Sequence, residues 1–204
     1  GDVKGLFSAD AFLDTADLGR HWLWSNPYPQ GNTLYALDVY SDSGMSAVGW
    51  AGTFIQSTDR GSSWYTLHSI DLAGKSIFSI SVVDSDVMYA VGNAGLVMKS
   101  SDGGGSWETQ SSDVTTPLLG VKFIDKDEGW AVGLNGTVIH TGDGGTTWTS
   151  QVVGSFVRLH AIDFVDALKG WVVGDSGKVY HTVNGGLAWT LQSVGTIRDL
   201  YSVN

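Results

Sequence analysis

The octapeptide TGDGGTTW, Thr141–Trp148, decides how this chain is read. It recurs as STDRGSSW (Ser57–Trp64), SSDGGGSW (Ser100–Trp107) and TVNGGLAW (Thr182–Trp189), and in altered form as TADLGRHW (Thr15–Trp22). The common pattern is Ser/Thr-x-Asp/Asn-x-Gly-x-x-Trp in all five copies, with the first the most altered. The tryptophans fall at 22, 64, 107, 148 and 189, at intervals of 42, 43, 41 and 41 residues. Five copies at so even a period mark a repeat architecture.

Other columns keep the same period. Fifteen residues before each of the last four tryptophans lies a Val-Gly pair, ending at Gly49, Gly92, Gly133 and Gly174. Further upstream lies a short apolar stretch: LYALDVY (Leu34–Tyr40), IFSISVV (Ile77–Val83), LLGVKFI (Leu118–Ile124) and LHAIDFV (Leu159–Val165). A fifth, IRDLYSV (Ile197–Val203), comes at the end of the sequence. Each unit therefore reads as four strands. Strand a is the alternating stretch, b runs into Val-Gly, c precedes the octapeptide, and d starts at the repeat Trp. No helix-length segment has a 3.6-residue period. Units of about 40–45 residues with four strands each are the pattern of a β-propeller blade.

The expected fold is all-β: one propeller domain over 1–204 with five four-stranded antiparallel blades. Four span about 34–69, 77–112, 118–153 and 159–193. The fifth is split between residues 197–204, which supply strand a, and residues 3–24, which supply b, c and d. Pairing Ile197–Val203 beside Val3–Phe7 would close the ring and bury two free sheet edges.

The octapeptides have a physical rationale. Asp17, Asp59, Asp102, Asp143 and Asn184 are expected to accept hydrogen bonds from backbone N–H groups of their own turns. Trp22, Trp64, Trp107, Trp148 and Trp189 are expected to pack their rings between blades. These eight-residue units resemble Asp-box (BNR) repeats. The longer pattern of Leu118–Trp148 and Leu159–Trp189 resembles the repeat of the photosystem II stability and assembly factor-like propellers. The resemblance spans nearly the whole chain and implies a protein partner and an extracytoplasmic location. The same box also occurs in sialidases, other glycosidases and sorting receptors, so it specifies a fold more than an activity.

Composition narrows the function. Lys+Arg is 11 against Asp+Glu 21, a formal charge of −10. Phosphate binding needs clustered cations, so nucleic acid is not an expected partner. All but Glu108 and Glu128 of the acids are Asp, and much of that charge reads as turn chemistry. With no Cys, thiolate catalysis and Cys-based metal sites are excluded. The five His lack metal-ligand spacing, and no cofactor motif is present. No apolar run reaches the ~18 residues of a membrane-spanning helix, so membrane insertion is not expected. The chain is expected to be a monomer.

Site candidates lie at the blade ends that carry the b–c turns and d–a connections, here called the top. In strand a the fourth positions are uniformly apolar, whereas the third and fifth would face a central channel. Asp38, Lys122, Asp163, Asp199 and Tyr201 are candidates there. Second positions lie near the top rim and supply Tyr35, Phe78, His160 and Arg198. Trp50 occupies the b–c turn, where the other copies have Asn93, Leu134 and Asp175. Tyr28 sits between two prolines in the long connection Ser25–Asn32. Exposed aromatics of this kind suit a protein anchor or a sugar platform. Of the four arginines, Arg20 and Arg60 lie inside octapeptides, so a sialidase arginine triad cannot form. Glu108 and Glu128 are placed away from the top. The leading expectation is a non-enzymatic binding or scaffold propeller with a protein partner. A glycan-binding lectin is the alternative, and a glycoside hydrolase using Asp38 and Asp163 comes third.

Overall fold

A computed structural model describes the backbone of residues 3–8, 11–15 and 23–25, and the full residues 31–66 and 74–204. Among the described residues the strands form five sheets, with antiparallel pairings. The first sheet has three strands, β1 (Val3–Ser8), β2 (Ala11–Thr15) and β3 (Leu23–Ser25). They are the b, c and d strands expected of the first copy. The second sheet joins β4 (Leu34–Val39), β5 (Met45–Gly49), β6 (Phe54–Ser57) and β7 (Tyr65–Thr66). The third joins β8 (Ile77–Val82), β9 (Met88–Gly92), β10 (Val97–Ser100) and β11 (Glu108–Gln110). The fourth joins β12 (Leu118–Phe123), β13 (Gly129–Gly133), β14 (Thr137–Thr141) and β15 (Thr149–Val152). The fifth joins β16 (Leu159–Phe164), β17 (Gly170–Gly174), β18 (Val179–Thr182) and β19 (Thr190–Gln192). The last four sheets are the four-stranded units of a β-propeller, strands a to d in chain order. Two compact units divide the chain, residues 1–88 with 100–107 and residues 89–99 with 108–204.

One expected strand is missing. Residues 197–204 carry no strand, and the ladder of β1 is with β2. The backbone of this segment bonds elsewhere: Arg198 N donates to Thr196 Oγ1 at 3.1 Å and Leu200 N to Gly174 O at 3.1 Å.

Burial falls from b outward. β5, β9 and β13 are buried along their whole length, while β11, β15 and β19 are mostly exposed. A strand covered on both faces needs a continuous apolar run, which is why the b strands do not alternate. The b strands β5, β9, β13 and β17 end on Gly, and in three of them the reason is steric. A Cβ on Gly49, Gly133 or Gly174 would overlap the carbonyl oxygen of Thr33, Pro117 or Arg158, just ahead of strand a. The b–c turns follow at once. Ala51, Ala94, Asn135 and Ser176 have φ of 52°, 53°, 59° and 57°, and the next residue is a glycine with φ between 68° and 75°. Two successive left-handed residues make the hairpin turn whose twist matches its strands.

The Asp boxes form the c–d turns and are built alike. Asp143 Oδ1 accepts Thr147 N at 2.9 Å and the Thr141 hydroxyl at 2.8 Å, and Oδ2 accepts the Thr147 hydroxyl at 2.7 Å. Thr141 Oγ1 accepts Gly145 N at 2.9 Å. Asp59 and Asp102 repeat the arrangement with Ser57, Ser63, Ser100 and Ser106. Asn184 keeps the Oδ1 bonds, from Ala188 N at 3.0 Å and the Thr182 hydroxyl at 2.9 Å. Trp64 and Trp148 are buried. Trp148 and Trp189 meet Phe123 and Phe164 edge-on at 6.0 Å. Asp17 and Trp22 lie outside the described residues.

Three of the described boxes also receive a side chain from the preceding sheet at the carbonyl of their fourth residue. Gln56 Nε2 donates to Gly103 O at 3.1 Å. Lys99 Nζ and Gln110 Nε2 donate to Gly144 O, each at 3.2 Å, and the Tyr89 hydroxyl, 3.3 Å from the same oxygen, donates to Lys126 O at 2.6 Å. Trp130 Nε1 donates to Gly185 O at 3.0 Å. Ring stacking runs beside these bonds. Tyr89 lies on Phe123 at 3.4 Å and Trp130 on Phe164 at 3.6 Å, both nearly parallel. Burial pushes the Tyr89 phenol up, so its hydroxyl stays a donor. His140, behind Trp130 at 5.1 Å, bonds Glu128 Oε1 at 2.7 Å. Both residues thus stand in the framework.

The box carboxylates set the acid response. The Thr147 hydroxyl, then the Thr147 N–H and the Thr141 hydroxyl, bring Asp143 from the ordinary 3.8 to about 2. Asp59 falls to about 2 through the equivalent Ser63 bonds, and Asp102 is lowered by Ser106. A depressed folded-state pKa gives stability that is present above the unfolded value and lost as pH falls through the folded one. Thermal melts should therefore show stability lost between pH 4 and pH 2, centred on these groups. Asp143→Asn, which imitates Asn184, is expected to lower the melting temperature slightly at pH 7 and to converge on the parent near pH 2. Parallel curves for variant and parent across that window would contradict the assignment.

Candidate functional site

The top rim departs from simple alternation. In β4, β12 and β16 the ladder to the b strand shifts register between the first and third residues. Tyr35, Leu119 and His160 are the extra residues. A bulge at a strand end leaves one residue unpaired and re-aims its side chain. The repeat thus places a bulged side chain at the top of strand a, beside the b–c turn of the same sheet, where Trp50 N donates to Thr33 O at 2.8 Å.

In the first unit this geometry pairs two aromatics and sets a third on the adjoining turn. Tyr35 is exposed and meets Phe78 edge-on, with centroids 5.5 Å apart. Phe78 is partly buried on β8. The turn Trp50–Gly52 packs against β8, and Trp50 itself is 52% exposed. Trp50 interrupts a framework in which the corresponding residues are Asn93, Leu134 and Asp175. Nothing in the turn needs an indole: its backbone is the same in all four copies.

The second unit holds a different cluster at the corresponding position. His160 Nε2 lies 2.7 Å from Asp175 Oδ1, and its ring sits 4.6 Å from that of Tyr201. Asp199 Oδ1 accepts Ser176 N at 2.8 Å, and Oδ2 accepts the Tyr201 hydroxyl at 3.4 Å. Arg198 is exposed. His160, Asp199 and Tyr201 therefore come together, with Asp175 bonded to His160, whereas Arg198 adjoins them in sequence only. The turn residue Asp175 was visible in sequence as an alignment position only. The bulge that turns His160 toward it was not.

The remaining strand-a candidates are engaged in ties between neighbouring strands. Asp38 Oδ2 accepts Val82 N at 2.7 Å within the first unit. Lys122 Nζ lies 2.7 Å from Asp163 Oδ1 within the second. Each carboxylate thus has a structural partner, which weakens the hydrolase expectation. Among the described residues, no three of His, Asp and Glu gather as a metal site. No described helix is long and apolar enough to cross a membrane. Tyr28 lies outside the described residues.

Comparison with known proteins places this geometry. Residues 100–196 match the family of the photosynthesis system II assembly factor YCF48. No curated protein matches the chain. The structure of YCF48 from Cyanidioschyzon merolae superposes with a TM-score of 0.72 at 17% identity, over 91% of this chain and 66% of that one. A structure of YCF48 bound to D1 peptide gives 0.56 at 13%, over 80% and 81%. The GH74 enzyme of Niastella koreensis gives 0.74 at 16%, over 97% of this chain and 36% of the enzyme. This chain thus spans just under two thirds of the algal YCF48 structure and about a third of the GH74 enzyme. It is a BNR-type β-propeller that resembles the photosystem II assembly factor family.

Proposed function

We propose that the chain is a non-enzymatic propeller that captures a protein partner through its top face, with Trp50, Tyr35 and Phe78 as the anchor. The observation that carries this reading is Trp50, a half-exposed indole on a rigid turn that has no structural use for it. Large aromatics in such positions supply contact area at low entropy cost and dominate binding energy when buried by a partner. The likeness to YCF48, which has been seen bound to a D1 peptide, supports a protein partner. The GH74 likeness and the same aromatic platform support a glycan as the second reading. The tying of Asp38 to Val82 and of Asp163 to Lys122 speaks against hydrolysis.

The test pairs the parent with a Trp50→Ala, Tyr35→Ala variant of unchanged circular dichroism and melting temperature. Protein captured from source extract by the parent should bind the variant about 30-fold more weakly, as for a hot spot worth about 2 kcal/mol. Equal capture by both, or glycan-array binding without protein capture, would overturn the reading.

We also propose that β1–β3 and residues 197–204 make one blade, giving five. Supporting this, β1–β3 match b, c and d, and Ile197–Val203 continues the strand-a columns. Deleting residues 197–204 should then lower the melting temperature by several degrees. A shift within about one degree would contradict closure.

A further inference from the structure

Beside an Asp box, strands c and d of one sheet face the box of the next across a cleft. In two copies a long side chain crosses it. The residue just ahead of the box is Gln56, Lys99 and His140 in turn. Gln56 reaches Gly103 O, and Lys99 reaches Gly144 O. His140 does not cross. Its ring lies against Trp130 and its Nε2 is held by Glu128 Oε1, while Trp130 supplies the bond to Gly185 O. This third cleft, within the second unit, stays open with a volume of about 200 Å³.

Two further departures from the repeat meet there. The residue after the box Trp is Tyr65 or Glu108 in earlier copies and the small, uncharged Thr149 here. The sixth box residue is Ser62, Gly105 or Thr146 in earlier copies and Leu187 here, 82% exposed. Thr146 is exposed too, with its following sheet in place, so the exposure of Leu187 belongs to the position. His140, Thr149 and Ser150 line one side of the cleft, and Gly185, Gly186 and Leu187 the other. Gln151 Nε2 donates to Gly186 O and ties the two sides together. The fold does not require the opening, since Lys99 closes the same cleft one sheet earlier.

We infer that this cleft binds a single pyranose ring of a neutral sugar. Its volume sets the size: a cavity of about 150 Å³ holds one benzene ring, so this one admits one six-membered ring with its hydroxyls. Its lining sets the chemistry. The Thr149 and Ser150 hydroxyls and the Gly185–Gly186 backbone offer donors and acceptors to ring hydroxyls, and Leu187 gives an apolar lip for the C–H face. No Lys or Arg lines the cleft among the described residues, and the Glu128 carboxylate beside His140 repels an anion. The site uses none of the rim residues and does not depend on the partner reading.

The probes are the methyl glycosides of glucose, galactose, mannose and xylose, with that of glucuronic acid as the charged control. Saturation-transfer NMR on the full chain should give a saturable signal for at least one neutral glycoside at millimolar concentration, about tenfold weaker or more for the glucuronic acid control. His140→Lys, which restores the crossing side chain, should abolish the signal at unchanged circular dichroism. Leu187→Thr, a change at an exposed turn, should weaken it about tenfold. No signal from any of the four, or a signal that survives both variants, would overturn the site. A signal lost in Trp50→Ala and kept in His140→Lys belongs to the aromatic rim and would overturn it as well. Equal binding of the glucuronic acid control would overturn the restriction to neutral sugars.

Discussion

The carbonyl at the fourth residue of three Asp boxes is the point on which the rest of the framework depends. Gly103, Gly144 and Gly185 present it, and the preceding sheet reaches it with Gln56, with Lys99 and Gln110, or with Trp130. A carbonyl shut inside a packed interface costs free energy unless a donor finds it. The box aspartate holds the turn that aims that oxygen: its two oxygens fix the turn from within, and the outward carbonyl is what remains for the neighbour. The acidic composition therefore acts largely through local turns, which agrees with the lowering of Asp59, Asp102 and Asp143 by hydroxyl and N–H donors rather than by cations.

A framework fixed this way frees other positions to vary. The b–c turns share one backbone, yet their first residues are Trp50, Asn93, Leu134 and Asp175. The bulged residues of strand a differ in the same manner. The repeat supplies stable places and leaves their chemistry open, which is why an aromatic rim stands in one unit and a His–Asp pair in the other. It also explains how one sheet design appears both in an assembly factor and in GH74 enzymes.

The strands were legible in the sequence because their signals are steric and periodic. Val-Gly ends strand b since no side chain fits against the carbonyl ahead of strand a. The missing strand a of the first copy was legible for the same reason. The latch, the bond from a neighbouring sheet to the box carbonyl, was not, because its donors share a destination and no chemistry: an amide, an ammonium and an indole do not form a column. The bulges were hidden because alternation was read straight through strand a, and one unpaired residue leaves no mark in composition. Ile197–Val203 has the apolar pattern of a strand, but Arg198, Asp199 and Leu200 spend their bonding groups on Thr196 and on the turn Gly174–Ser176.

The latch is tested most directly at Gln56. Its amide is buried, donates to Gly103 O, and accepts the Tyr65 hydroxyl at 2.9 Å. Gln56→Met keeps the volume and adds apolar surface, so hydrophobic burial alone would make the variant at least as stable. If the carbonyl latch governs, denaturant unfolding should instead show a loss of about 1–3 kcal/mol, the penalty for orphaned buried polar groups. A variant as stable as the parent, or more so, would contradict the account.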